Sequence, residues 1–250
     1  MQISEYKNIF NNEASHFYYV GYHKIILALL KKYLTTRKKP KLKILDAGCG
    51  AGLLTKKLES FGDVWGVDMS SEAVKFTRKR GLNVKKASIL KLPFEDKTFD
   101  AIISIDVLCH KSIPSDQQAL NEFSRVLKPK GLLILKLPSH NWLYGSHDLL
   151  VQTKKRYSKK EVLTDLKNTG FTPVKTTYIG SFLLPIVTIK HVKESLTKSI
   201  SPNTSVKKVW DPLNSILIYL FKVEAFLQSL VSIPFGISIL VFAKKNSKKY

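Results

Sequence analysis

The stretch KLKILDAGCGAGLLTKKL, Lys41 to Leu58, decides the fold. LKIL is short, apolar and β-leaning, as a central strand covered on both faces must be. Gly48, Gly50 and Gly52 follow. Without side chains there, the backbone turns sharply and approaches another molecule closely. From about Leu53 a helix opens with unpaired N–H groups at its start. The spacing is G-x-G-x-G, not the dinucleotide fingerprint G-x-G-x-x-G. Asp46 stands two positions before Gly48, where its charge repels a pyrophosphate and favours a ligand carrying an ammonium group. A βα turn that needs glycines only to fold has the same pattern, so the turn alone leaves both readings open.

The next acidic residue narrows the choice. GDVWGVDMS reads as a second strand ending at Asp68, 20 residues beyond Gly48. Doubly wound folds place a carboxylate at about this spacing on ribose hydroxyls. Ser70 then caps a helix that stops near Gly81. Met69 either lies against an adenine face or packs under the turn.

Four segments, ILDAGCGAGLL, GVDMS, LKLPFEDKTFDAIISIDVLCH and FSRVLKPKGLLIL, span roughly residues 40 to 137. In this order and at these separations they resemble the class I S-adenosylmethionine-dependent methyltransferases. The resemblance implies an α/β fold: a Rossmann-like three-layer sandwich whose seven-stranded sheet is mostly parallel with an antiparallel last strand. It also implies S-adenosyl-L-methionine as cofactor. The glycine turn would run along the methionine part, with Asp46 near the amino group and Asp68 on the ribose. Gly48 and Gly50 belong to that set, with Cys49 as a turn residue and not a nucleophile; Met69, Ile105 and Asp106 complete it. One position departs. The family often has an acidic residue after the third strand, near the adenine amino group, and here Ser88 stands there, so its hydroxyl or the backbone of Ile89 takes that role.

Composition agrees with a folded enzyme. A chain of 250 residues with 44% hydrophobic content buries one sizeable core. We expect one domain over 1–250: a helical cap (1–40), a cofactor-binding core (41–180), an apolar helical insertion (181–234), a last strand (235–243) and a basic tail (244–250). Cys49 and Cys109 form no disulfide or zinc pattern, and no metal site is expected. MQISEYKNIFNNE lacks a basic stretch followed by an apolar one, which makes a cytoplasmic location the expectation. The net charge is +22, with clusters at KKYLTTRKKPKLK, KKRYSKK and AKKNSKKY. Such a field attracts nucleic acid, anionic lipid or acidic substrates, and solvated lysine-rich helix faces account for it equally. IDVLCH is not the Asn/Asp-Pro-Pro-aromatic turn of amino-methylating DNA enzymes. A Pro-Cys nucleophile motif is also missing, which disfavours nucleic acid as acceptor.

The coarse layout places a helix over about Glu13 to Leu34. Strands are predicted near 42–46, 63–68, 83–87, 99–105 and 131–137, with a sixth at FTPVKTTYIG and the last at FGISILVFAKK. Ser115 with Gln118, and Ser158 with Glu161, read as capping boxes. Two outlying segments narrow the group. EASHFYYVGYHKIILALL resembles a Glu-x-x-His-aromatic-aromatic stretch of small-molecule methyltransferases of the type 11/12 group. The loop PSHNWLYGSHDLLVQTKKRYS resembles that group's Trp-x-x-x-x-His-Asp…Arg-Tyr-Ser pattern, often met in lipid- or glycan-linked settings.

The acceptor-side candidates are histidines, whose ordinary pKa suits proton removal near neutral pH. His147, in GSHD, ranks first and His110, after the fourth strand, second. His140 and His16 are further candidates, and Tyr157 would orient the acceptor. The uncharged run from residue 225 to 243 is long enough to raise a transmembrane reading. Pro234 and Gly236 argue against it. A helix near 213–231 instead covers the site, dimerises, or lies on an anionic membrane beside the basic clusters. The expected function is methyl transfer to a small-molecule acceptor, lipid-linked ones included. An RNA methyltransferase and a non-catalytic cofactor-binding partner are the alternatives.

Overall fold

The computed structural model describes residues 3–34, 41–197 and 209–247. Two helices come first, α1 (Ile3–Asn12) and α2 (Phe17–Leu34), then β1 (Leu42–Ala47), α3 (Leu53–Leu58), β2 (Gly62–Asp68), α4 (Ser71–Lys79) and β3 (Asn83–Lys86). The chain continues through β4 (Phe99–Ile105), α5 (Asp116–Val126), β5 (Leu127–Pro138), α6 (Ser146–Leu150), α7 (Lys159–Asn168) and β6 (Phe171–Ile179). It closes with α8 (Leu184–Thr197), α9 (Asp211–Leu230) and β7 (Ser238–Lys245).

The seven strands form one sheet in the order β3-β2-β1-β4-β5-β7-β6. β1, β2, β3, β4 and β5 pair in parallel; β7 enters antiparallel between β5 and β6. The expected mostly parallel sheet with an antiparallel last strand is therefore present. Strand alternation builds the three layers. Leu45, Ile102, Leu133 and Val241 face a core closed by Leu120 and Phe123 of α5 and Leu166 of α7. Their neighbours Ile44, Ile103, Ile134 and Phe242 face the opposite core, closed by Ile25 and Leu29 of α2 and Phe221 of α9.

The differences from the expected layout have physical causes. The predicted helix from Glu13 starts only at Phe17, and α1 precedes it after a turn in which the His16 amide bonds the Asn12 carbonyl. α1 is polar in sequence. Its apolar side chains Tyr6, Ile9 and Phe10 find partners only in Ala51, Ala73 and Phe76, which are distant along the chain. β5 begins at Leu127, not 131, and β7 runs on to Lys245, so Lys244 and Lys245 belong to a strand and not to a tail. Both capping boxes are half-built. Ser115 Oγ accepts the Gln118 amide and Ser158 Oγ the Glu161 amide, but the Gln118 side chain turns to the Leu90 carbonyl and Glu161 to Lys155.

α9 docks on α2 through a close approach at Gly21, where a Cβ would stand 2.2 Å from the Phe221 ring. By length and composition α9 is apolar enough to cross a membrane.

Candidate active site

The glycine turn sits at the carboxyl end of β1, the edge where ligands bind in doubly wound sheets. Gly48, Gly50 and Gly52 all have positive φ, of 88°, 54° and 86°. The turn is held from below: the Gly48 and Cys49 amides donate to the Val67 carbonyl at 2.7 and 3.0 Å. Thr77 of α4 donates to the Gly50 carbonyl at 3.0 Å. Cys49 is buried against Thr77, and burial pushes its thiol well up, so it is no nucleophile. A Cβ on Gly48 would lie 2.2 Å from Val107, whereas one on Gly50 would meet no atom within 4 Å. Gly50 thus borders open space.

Asp68 ends β2 with both oxygens engaged, accepting from the Gly50 amide at 3.0 Å and the Ser70 amide at 2.9 Å. The strand end and the turn are fixed to one another by that carboxylate. Asp46 is 2% exposed. Its Oδ2 accepts from Thr55 of α3 at 2.6 Å, and Oδ1 takes no protein hydrogen bond among the described residues. Burial raises Asp46 to about 7. A cationic group beside it would restore the charged form. This donor set fits S-adenosylmethionine: an unoccupied carboxylate oxygen near the turn, a second carboxylate at the ribose spacing, and an open flank at Gly50.

Met69 is 47% exposed, which removes the reading in which it packs under the turn. Its Sδ lies 3.1 Å from Ser112 Oγ, itself 2.6 Å from His110 Nδ1. His110 therefore belongs to the Asp68 end, and burial lowers it to about 4. Ser88 Oγ accepts the Leu90 amide at 3.2 Å in a local turn, and Ile89 is buried.

α1 was not foreseen at this site. Tyr6 is buried, and the Asp68 charge stands among the causes, after burial, that raise its hydroxyl to about 12. Arg80 ties the cap to the turn, reaching Glu13 at 2.6 Å and the Ala51 carbonyl at 2.8 Å.

Beyond Ile105 the backbone of Asp106 adopts a φ of 55°, rare for a non-glycine residue. Its carboxylate pairs with Lys136 of β5, which is 1% exposed. Lys136 also donates to Tyr18 Oη at 3.0 Å and lies over the Tyr18 and Tyr22 rings at 5.3 and 5.1 Å. Burial opposes the lysine charge, but Asp106 and Tyr18 outweigh it, so Lys136 stays protonated. Asp106 was expected to face the cofactor; here it is the counter-ion of a buried lysine. Lys136 went unassigned in the sequence, although a lone lysine inside GLLILKLP is the signal that marks it.

The loop after β5 explains the Trp…His-Asp…Arg-Tyr-Ser pattern. Asp148 and Arg156 form a buried pair, with Arg156 Nε at 3.1 and 3.0 Å from the two carboxylate oxygens and a terminal nitrogen at 2.9 Å. Asp148 also accepts the Gly145 amide at 2.9 Å, and Arg156 reaches the Ser139 carbonyl at 3.2 Å. This clamp fixes α6 and with it His147, which is half-buried and lowered by that burial. Tyr157 is a correction: it is 1% exposed in the core, and its hydroxyl donates to Asp116 at 2.9 Å. It offers nothing to an acceptor. His140 stacks on Tyr178 at 5.5 Å, and His16 stacks on Phe17 at 4.6 Å.

A family model described as "Methyltransferase domain" matches residues 45–135. An uncharacterized protein of Methanocaldococcus jannaschii is 31% identical over 201 residues, 79% of each chain. The 24-methylenesterol C-methyltransferase 3 of Arabidopsis thaliana is 35% identical over 42% of this chain and 30% of its own length. The protein named "Probable tRNA methyltransferase 9B" of Mus musculus is 35% identical over 50% of this chain and 26% of its own. This chain thus spans less than a third of those two relatives. A solved methyltransferase from Thermotoga maritima shares the fold at a TM-score of 0.59, with 18% identity, 99% of this chain and all of that one covered. The chain thus carries a methyltransferase domain over residues 45–135 and shares the fold of solved S-adenosylmethionine-dependent methyltransferases.

Proposed function

We propose that this protein transfers a methyl group from S-adenosylmethionine to a lipid-linked small-molecule acceptor. The observation that carries the cofactor is the open flank at Gly50 between Asp46 and Asp68. Asp68 would hold the ribose and Asp46 Oδ1 the amino group, with Met69 and His110 at the adenine end. When bound, the cofactor supplies an electrophilic methyl on a sulfonium, displaced in line by the acceptor. The protein's own task is to position that acceptor and take its proton. His147 is the residue proposed for the proton, because burial keeps its imidazole neutral and the Asp148–Arg156 clamp fixes its helix.

Support for a lipid-linked acceptor comes from the open groove lined by Trp142, Leu184, Pro185, Thr188, Ile189 and Phe235. It flanks the His147 loop, since α8 reaches α6 through Glu194, which accepts from Ser146 Oγ at 2.8 Å. The sterol-methylating relative agrees with an apolar acceptor. A second reading, RNA as acceptor, is favoured by the charge of +22 and by the tRNA-methylating name of the mouse relative.

The test is transfer of labelled methyl from S-adenosylmethionine to fractionated cell extracts: organic-phase lipids, water-soluble metabolites and RNA. Label in the lipid fraction is expected. Label confined to RNA would move the assignment to the second reading. Cofactor binding without transfer to any fraction would leave a non-catalytic cofactor-binding protein.

A further inference from the structure

α9 is built the wrong way round for a helix covering a soluble domain. The face it turns inward carries Asn214, Glu224 and Gln228 beside Phe221 and Ala225. Asn214 Oδ1 accepts the Phe17 amide at 2.8 Å, Glu224 Oε1 accepts the Ser181 amide at 3.3 Å, and Gln228 Nε2 donates to the Tyr178 carbonyl at 2.9 Å, while Glu224 Oε2 and Gln228 Oε1 are buried with no hydrogen bond among the described residues. The outward face is the apolar one. Ile216, Tyr219, Val223, Phe226, Leu227 and Leu230 are between 39% and 67% exposed. Their spacing of three and four places them on one stripe opposite the α2 contact. α8 repeats the pattern with Ile186, Ile189, Val192 and Leu196, the last 79% exposed, and buries no residue of its own. Exposed apolar stripes along two helices mark a docking surface.

The charges beside the stripe say what covers it. Lys32 Nζ donates to the Ser229 carbonyl at 3.1 Å and Lys175 Nζ to the Val231 carbonyl at 3.2 Å, so two ammonium groups sit at the carboxyl end of α9. Lys24 of α2 lies close enough to Lys222 of α9 for the two charges to repel. α2 has no acidic residue, and on α9 the carboxylates are Asp211 in the first turn and the inward Glu224. An apolar stripe bordered by lysines complements an anionic bilayer. A second copy fits less well, because a two-fold contact centred on α9 would bring Lys24 and Lys222 of both chains together.

We propose that α9 lies in the plane of an anionic lipid bilayer, its outward stripe among the acyl chains and Lys24, Lys32, Lys175 and Lys222 at the headgroups. The inward polar face, bonded to Phe17, Tyr178 and Ser181, keeps the helix on the domain and not across the membrane. Such docking deepens the lipid-linked reading, since it would hold the groove beside Trp142 at the bilayer, but it does not depend on it.

The experiment is sedimentation of the full chain with phosphatidylcholine vesicles, with and without phosphatidylserine, at low and high salt. Binding is expected only with phosphatidylserine and only at low salt. Ile216→Glu with Phe226→Glu, both at exposed positions, should abolish it while calorimetry shows unchanged cofactor affinity. Lys24→Gln with Lys222→Gln should lower the partition coefficient by roughly 25-fold, about fivefold for each charge. A chain left in the supernatant, or pelleted equally by neutral vesicles, overturns the proposal. So does analytical ultracentrifugation showing a dimer that Phe226→Glu dissociates, with no vesicle binding. Loss of cofactor binding in the unmodified chain would defeat the methyl-transfer reading and leave the vesicle result standing.

Discussion

Asp148→Ala tests the claim that the loop after β5 is a clamped platform. The wild-type carboxylate is 2% exposed and the Arg156 guanidinium 9%. Truncation removes three contacts to Arg156, at 2.9, 3.0 and 3.1 Å, and leaves that buried charge with the Ser139 carbonyl at 3.2 Å. It also orphans the Gly145 amide at the start of α6. Stranding one member of a buried ion pair costs about 3–5 kcal/mol. At about 2–4 °C per kcal/mol for a domain of this size, Tm should fall by roughly 6–20 °C. Differential scanning calorimetry measures it. The matched double variant Asp148→Leu with Arg156→Met should recover most of the loss, because an apolar pair of similar volume leaves no uncompensated charge. A Tm for Asp148→Ala within about 2 °C of wild type would refute the clamp, since that shift corresponds to less than about 1 kcal/mol.

Three further outcomes are expected. His147→Ala, in protein shown to retain its cofactor affinity, should lower turnover by roughly 10²–10⁴ if His147 removes the acceptor proton; a loss of only a few-fold moves that role to His110. Asp68→Ala should weaken S-adenosylmethionine by about 1.5–3 kcal/mol in calorimetry, as loss of a charge-assisted hydrogen bond does, and unchanged affinity would remove Asp68 from the cofactor set. Asp46 should make stability fall with rising pH. Its folded pKa is raised from 3.8 to about 7, so the folded chain binds that proton more tightly than the unfolded chain. The contribution is full below about 4 and is lost as pH rises through about 7. Denaturant titrations across that window should show the slope flattened in Asp46→Asn; an identical slope would mean that Asp46 is not protonated on burial.

The central sheet was legible because its signals are local. The apolar run LKIL, three glycines within five positions and a carboxylate at each strand end constrain the backbone and its chemistry within a few residues. The alternation of strands and helices then argues for a parallel, helix-covered sheet, and the resemblance supplied its seven strands with an antiparallel last one. The same local logic placed a helix start at Ser158 and located Cys49 in the turn. Other features depended on partners far along the chain. α1 is a helix because Phe76 and Ala51 receive Tyr6 and Phe10, and nothing near residue 6 announces that. Tyr157 was expected to orient the acceptor, but Asp116, 41 residues away, takes its hydroxyl. The resemblance marked the His-Asp…Arg-Tyr-Ser stretch, but only the fold divides it, giving Asp148 and Arg156 to a clamp, Tyr157 to the core, Ser158 to a helix cap and His147 to the short helix that the clamp holds. Orientation is the last such case. The sequence of α9 specifies an apolar helix with Asn214, Glu224 and Gln228 on one side. Because buried polar groups need partners, and Phe17, Tyr178 and Ser181 each supply one, tertiary packing turned the polar side inward and left the apolar side outside.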